Sequence, residues 1–231
     1  MNILALIPAR SGSKGITHKN IMNFKNKPLL AWSIEQAKNS KYINRIIVST
    51  DSEEYSKIAN QYGAETPFLR PKEISGDLST DKEFIIHAIK WLRDNENYRP
   101  DLIVQLRPTY PTRKVNIIDE TIKIMIDEKK YDSLRTVIPF KKSPFKMYRI
   151  IKERLIPLHQ SVDDKLEPYN LCRQSLPDTY LHNGYIDIIR TRSLILRNSI
   201  TGYRIYPYVM NQDEYHDIDN LEDWEKAEKL I

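Results

Sequence analysis

The sequence predicts an α/β fold built on a mainly parallel sheet. Apolar runs such as Ile3–Ile7, Arg45–Thr50 and Leu102–Leu106 read as strands buried on both faces. Between them lie stretches with apolar residues at helical spacing, among them Leu30, Ile34 and Ala37, then Tyr55, Ile58, Ala59 and Tyr62. This β-α-β rhythm implies right-handed crossovers and parallel pairing. At 231 residues the chain is long enough for one such domain with a good core, and a single domain over 1–231 is expected.

Composition narrows the class. Apolar residues make up 40% of the chain and charged residues 29%, as in soluble globular proteins. No apolar run reaches membrane-spanning length, and the first one lacks a basic lead and a cleavage site, so neither a membrane nor a signal peptide is expected. Cys172 is the single cysteine, which suits a reducing cytoplasm, and it reads as a small buried hydrophobe. The net charge is +5, but 36 basic residues are interleaved with 31 acidic ones and no basic tail is present. An anionic small substrate accounts for that excess at least as well as nucleic acid does.

The first strand ends at Pro8, because proline cannot donate to a ladder. The loop that follows is small and cationic: Ala9, Arg10, Gly12, Ser13, Lys14 and Gly15, then Lys19 and Asn20. Glycines bring backbone N–H groups close to an anion, and the three cations add formal charge. A phosphate chain held at the end of the first strand is the chemistry this suggests. The loop has neither the spacing of a Walker A motif nor that of a dinucleotide fingerprint.

Further along, Asn26–Leu30 opens a helix, with Pro28 in its first turn. Gly63 closes the helix that carries Tyr55. Residues 70–81 are irregular and end in a capping box, Thr80 with Glu83, ahead of a helix buried through Phe84, Ala88 and Leu92. The third strand delivers Arg107–Arg113 to the carboxyl edge of the sheet, where ligands of open α/β sheets bind. A helix with Ile118, Ile122 and Met125 on one side precedes a strand over Ser133–Pro139. From Arg149 to Thr179 periodicity is weak and prolines recur, so this stretch reads as a lid or an arm. Tyr180–Ile189 and Gly202–Val209 are late strands, and His182 reads as a structural hydrogen-bonding residue.

Near the end comes Tyr215-His216-Asp217-Ile218-Asp219-Asn220. On a strand Asp217 and Asp219 would share a face, with Ile218 packing behind. Paired carboxylates there suit Mg²⁺ or Mn²⁺ bridging to substrate phosphates; turn and cap positions are the alternative. Asn220 can cap a last helix that buries Leu221, Trp224 and Ala227.

Taken together, these motifs resemble the acylneuraminate cytidylyltransferases. The family's first motif, I-P-A-R-x-G-S-K-G and then K-N, is matched by Ile7–Gly15 with Lys19-Asn20. Other matches are Glu167–Asn170, Arg173–Pro177, Asn183-Gly184 and Glu222-Asp223-Trp224, so the resemblance covers nearly the whole chain. It implies a three-layer Rossmann-like nucleotidyltransferase fold with a small dimerisation arm over 149–179. It also implies CTP and an acidic nine-carbon sugar as substrates, a homodimer, and Mg²⁺ on Asp217 and Asp219. Ala9, Arg10, Gly12, Ser13, Lys14, Gly15, Asn20, Arg70 and Ser79 would then bind nucleotide. Arg107, Lys142, Arg173, Asn183 and Tyr185 would face the sugar, with Arg10, Lys19 and Asp219 catalytic. Lys142 can equally be a solvated lysine and Arg173 an interface ion pair. Arg107 stands where sialic-acid-specific members have glutamine, and Tyr185 where they more often have alanine. A differently decorated sugar such as legionaminic acid is therefore expected, with Arg107 able to clamp its carboxylate. A synthetase for the eight-carbon acid KDO fits the later motifs less well. A glycosyltransferase would carry its D-x-D mid-chain, and a non-catalytic binding module would not need the two aspartates.

Overall fold

In the computed structural model every residue is described except Tyr215, so the first residue of the expected final strand lies outside the described residues. Six strands form the central sheet: β1 (Ile3–Pro8), β2 (Arg45–Ser49), β3 (Leu102–Gln105), β4 (Ser133–Pro139), β5 (Tyr180–Arg190) and β6 (Ile205–Val209). Their order across the sheet is β6-β4-β5-β3-β1-β2. β1 pairs in parallel with β2 and β3, and β6 with β4, while β5 runs antiparallel to both its neighbours. The expected mainly parallel sheet is present, with one reversed strand inside it.

Helices α1 (Leu29–Lys38), α2 (Glu53–Gln61), α3 (Asp81–Glu96), α4 (Val115–Asp127), α5 (Thr191–Arg197) and α6 (Leu221–Glu228) complete the fold. Alternation along β1 sorts them into layers. Ile3, Ala5 and Ile7 pack with Ile34 of α1, Tyr55 of α2 and Ile122 of α4. Leu4 and Leu6 point the other way, onto Phe84 and Leu92 of α3 and Leu194 of α5. Continuous apolar runs are thus what a strand covered on both faces requires.

The local signals in the sequence act as expected at most ends. Ser52 caps α2 by accepting from Tyr55 N, Gly63 follows that helix with a φ of +89°, and Thr80 N donates to Glu83 Oε2 at 2.6 Å. Two boundaries move. Asn23–Phe24 pairs with Lys27–Pro28, which keeps those residues extended and starts α1 only at Leu29. The strand expected from Gly202 begins at Ile205, because Tyr203 N and Arg204 N donate to the Asp132 carboxylate rather than to a ladder.

A third apolar cluster sits apart from the sheet. Ile16, Phe24 and Leu29 meet Ile218, Trp224 and Ala227 there, and the Phe24 and Trp224 rings stack edge to face at 5.1 Å. It brings the beginning of the chain against its end. No strand forms over 216–220: Ile218 is fully buried and its N–H donates to Thr109 O at 3.0 Å, outside any ladder. The strand expected to align Asp217 with Asp219 is corrected accordingly.

Between β4 and β5 the chain makes a long excursion. Its neck is closed by Phe140 N donating to Thr179 O at 2.8 Å and Thr179 Oγ1 donating to Phe140 O at 3.2 Å. Beyond it lie a hairpin, Tyr148–Ile151 with Arg154–Pro157, and the short pair Ser161–Val162 with Lys165–Leu166. Ile150, Leu155 and Leu166 are exposed there. Cys172, expected to be buried, is exposed on this excursion.

Asp132 ties β4 to the turn before β6 and to α5, since it also accepts from Ser193 Oγ at 2.6 Å. The Ser193 hydroxyl and the Tyr203 and Arg204 amides, with Arg197 nearby, hold its carboxyl down to about 2 despite burial. Because the folded value lies below the unfolded one, Asp132 contributes stability above pH ~4 that is lost as pH falls towards about 2. Asp132→Asn is therefore expected to lower Tm at neutral pH, and the gap to wild type should shrink as pH falls through that window in a thermal melt series.

Candidate active site

The loop after β1 is anchored from beneath. Ala9, fully buried, donates its N–H to Ser49 O at 2.9 Å and is a strut rather than a contact surface. Ser11 donates from N and Oγ to the two carboxylate oxygens of Asp51, both at 2.8 Å. Asn20, buried, donates from Nδ2 to Arg10 O at 3.1 Å. These fixed points leave Arg10, Ser13 and Lys14 lining a cleft of about 380 Å³ at the carboxyl edge of the sheet.

The two glycines differ in purpose. A Cβ at Gly12 would meet nothing within 4 Å, whereas one at Gly15 would stand 2.3 Å from the backbone oxygen of Asp219. Gly15 is thus required by the close approach of the C-terminal segment. Lys19 locks the same junction: its Nζ donates to Ile218 O at 2.6 Å and stands 3.7 Å from Asp219 Oδ1. Lys19 and Asp219 both line the cleft, so cations from the start of the chain and a carboxylate from its end do meet.

The cleft is also lined by Arg70, Ser79, Asp81, Arg107 and Thr109. Arg70 is buried, donating from Nε to Ser49 Oγ at 3.0 Å and from Nη2 to Ser49 O at 2.6 Å, with its guanidinium 4.7 Å over the Phe84 ring. Burial pushes it down to about 10, which leaves it cationic at neutral pH. Arg107 lines the cleft but is already engaged. Nη1 donates to Gly184 O at 2.9 Å and Asp187 Oδ2 at 2.8 Å, and Nη2 donates to Asp81 Oδ2 at 2.6 Å. Burial works against its charge, yet Asp187 and Asp81 outweigh it and hold the guanidinium above its usual range. A substrate carboxylate would have to share Arg107 with these aspartates. His182 plays the structural part expected of it, hydrogen-bonding Asp187 Oδ1 through Nε2 at 2.7 Å.

Four residues expected at the sugar do not line this cleft. Tyr185 is buried: its hydroxyl accepts from Lys114 N at 2.7 Å and its ring packs against Tyr110. Asn183 is also buried, its Oδ1 accepting from Thr136 Oγ1 at 2.6 Å. Lys142 and Arg173 are exposed on the excursion and are not among the residues that line the cleft. Sequence reasoning passed over Asp77, Asp81 and Asp51. Asp81 opens α3 and Asp51 lies just past the end of β2, so each reads as an ordinary cap or turn residue.

Asp217 and Asp219 have different surroundings. Asp219 is exposed at the cleft, while Asp217 is half-buried and its Oδ1 is buried without a hydrogen-bond partner. Burial pushes the Asp217 carboxyl up, with Thr109 opposing it, the Asp219 carboxylate adding to it, and Tyr110 and Lys19 acting against it. An orphaned carboxylate oxygen beside a second carboxylate fits a hard cation that takes one or two protein ligands and the rest from phosphate and water. Among the described residues no group of three His, Cys, Asp or Glu side chains could hold a metal by itself.

With this geometry in place, comparison with known proteins identifies the class. Residues 4–230 match the Cytidylyltransferase family, and the chain belongs to it. It is 35% identical over 225 residues to the N-acylneuraminate cytidylyltransferase of Escherichia coli, covering 97% of this chain and 51% of that protein. It is 34% identical over 237 residues to the CMP-N,N'-diacetyllegionaminic acid synthase of Legionella pneumophila, covering 100% of this chain and 97% of that one. The chain thus spans about half the first relative and nearly all of the second. A CMP:2-keto-3-deoxy-manno-octonic acid synthetase complexed with CTP shares the fold, with a TM-score of 0.72 at 14% identity over 100% of this chain and 98% of that one.

Gly15→Ala is expected to push the loop off Asp219 and to weaken triphosphate binding by about tenfold or more, measured by calorimetry, because the clash is with backbone. Removing the desolvated charge in Asp217→Asn should leave Tm in EDTA no lower than wild type, read in a thermal melt.

Proposed function

We propose that this protein transfers CMP from CTP to the anomeric hydroxyl of a nine-carbon 2-keto-3-deoxy sugar acid and releases pyrophosphate. The meeting of Arg10, Lys14 and Lys19 with Asp219 in one cleft carries this reading. Membership of the cytidylyltransferase family, and relatives whose names specify N-acylneuraminate and diacetyllegionaminic acid, support the substrate class.

The chemistry asks mainly for positioning and for cancellation of charge. Arg10, Ser13 and Lys14 would grip the phosphate chain, and Lys19 would face charge developing on the transferred group. Arg70 and Ser79, which also line the cleft, would hold the nucleoside end. The sugar oxygen forms the new bond to the α-phosphorus as the bond to the β-phosphate bridging oxygen breaks, and pyrophosphate carries away that electron pair. The hydroxyl proton needs an acceptor. An Asp219 carboxylate oxygen not engaged by a cation would take it, since Asp219 is exposed at the cleft. Asp217 and Asp219 would hold Mg²⁺, or Mn²⁺, which supplies charge neutralisation at the phosphates when bound.

Exposed Ile150, Leu155 and Leu166 on the excursion between β4 and β5 support a homodimer in which residues 149–179 form the contact. Lys142 and Arg173 would then reach a sugar only from across such a contact. A free, exposed Cys172 fits a reducing cytoplasm. Among the described residues no helix is long and apolar enough to cross a membrane.

Purified protein given CTP, Mg²⁺ and a panel of N-acetylneuraminate, legionaminic acid and KDO should release pyrophosphate with a nine-carbon acid, and mass spectrometry should detect the CMP-sugar. Turnover with KDO alone would overturn the sugar class, and normal turnover by Asp219→Ala would remove its assigned role. Light scattering should give about twice the 27.3 kDa chain mass, reverting to monomer in Ile150→Asp/Leu155→Asp.

A further inference from the structure

The cations that face the cleft are already answered by the chain's own acids, and two of those acids come from one short segment. Asp77 Oδ1 accepts from Arg10 Nη1 at 2.9 Å, while Asp77 Oδ2 stands 2.8 Å from Lys14 Nζ. Four residues on, Asp81 engages Arg107. Each oxygen of the Asp77 carboxylate thus takes one cation, as two non-bridging oxygens of a phosphate would.

The segment carrying Asp77 is lightly held. It lies between the single turn at Lys72–Ile74 and the start of α3, and Leu78, its one large apolar side chain, is 95% exposed. Lys14 and Asp77 are themselves well exposed, so these ion pairs are weak and exchange readily with solvent or with another anion. Lys14, then Arg10, holds the Asp77 carboxyl below its usual range, so it stays ionised near neutral pH.

We propose that Asp77 is a built-in counter-anion, which a polyphosphate must displace from Arg10 and Lys14 and whose return favours the departure of pyrophosphate. This rests on the reading that Arg10 and Lys14 take phosphates. An empty cleft with uncompensated cations would bind any passing anion and would hold the product tightly. A mobile carboxylate lowers affinity for every anion that needs both cations, and it does so without removing the cations from the reaction.

The test is calorimetric titration of inorganic pyrophosphate, in EDTA and at low salt, into wild type, Asp77→Asn, Glu73→Gln and Arg10→Ala. Asp77→Asn should bind pyrophosphate about three- to tenfold more tightly, with the gain shrinking as salt is raised. Glu73→Gln removes the same charge from the turn just before that segment, from a residue with no ion pair to Arg10 or Lys14, and should stay within about twofold of wild type. Equal or weaker binding by Asp77→Asn overturns the proposal, as does an equal gain in Glu73→Gln, which would assign the effect to long-range charge. If Arg10→Ala leaves pyrophosphate affinity unchanged, the phosphate reading fails and the counter-anion falls with it. Weaker binding by Arg10→Ala without a gain in Asp77→Asn defeats the counter-anion alone.

Discussion

The burial of Ile218 is the contact on which the site depends. This one side chain, fully enclosed among Ile16, Phe24, Leu29, Trp224 and Ala227, pins the last irregular segment against the first loop. Its backbone is held on both sides, by Thr109 O at its N–H and by Lys19 Nζ at its carbonyl. A fully buried isoleucine contributes about 1.5–3 kcal/mol relative to an exposed one. That is enough to keep Asp217 and Asp219 on the cation loop although some two hundred residues separate them in the chain. Without it, carboxylates on a solvated tail would have no fixed distance to any phosphate.

The cleft is preorganised largely from its edges and from beneath. Asp51 and Ser49, with Asn20 at the cleft itself, spend their hydrogen bonds on Ser11, Arg70 and Arg10, so the cationic side chains start from settled positions. Catalysis by charge cancellation gains most from such an arrangement, because little reorganisation is left for the moment of reaction. Arg107 shows the same economy carried further. Two aspartates and a carbonyl fix its plane, making it as much a brace between α3 and β5 as a candidate for recognition.

Much of the fold was legible because its signals are local. Continuous apolar runs, a capping box at Thr80 and a glycine after α2 each act within a few residues. The cationic loop was legible for the same reason, as was its meeting with Asp219. What escaped reading depends on partners far away in sequence. Tyr185 and Asn183 look like ligands in a motif, but their partners are Lys114 and Thr136. Asp217 and Asp219 look like a strand dyad, yet Ile218 between them is buried in a satellite cluster rather than paired in the sheet. Gly15 was recognised as needed, but the need comes from Asp219, near the other end of the chain. Exposure of Cys172 could not be read from its residue type, since it lies on a segment with little core of its own.

The reversed direction of β5 has an evolutionary consequence. A strand that enters the sheet from the edge where its parallel neighbours end obliges the chain before it to loop out at that same edge. The double hydrogen bond between Phe140 and Thr179 seals this outgrowth off from the sheet register. Length and sequence can therefore drift inside the outgrowth without shifting a single strand pairing. Changes there leave the residues that line the cleft where they are.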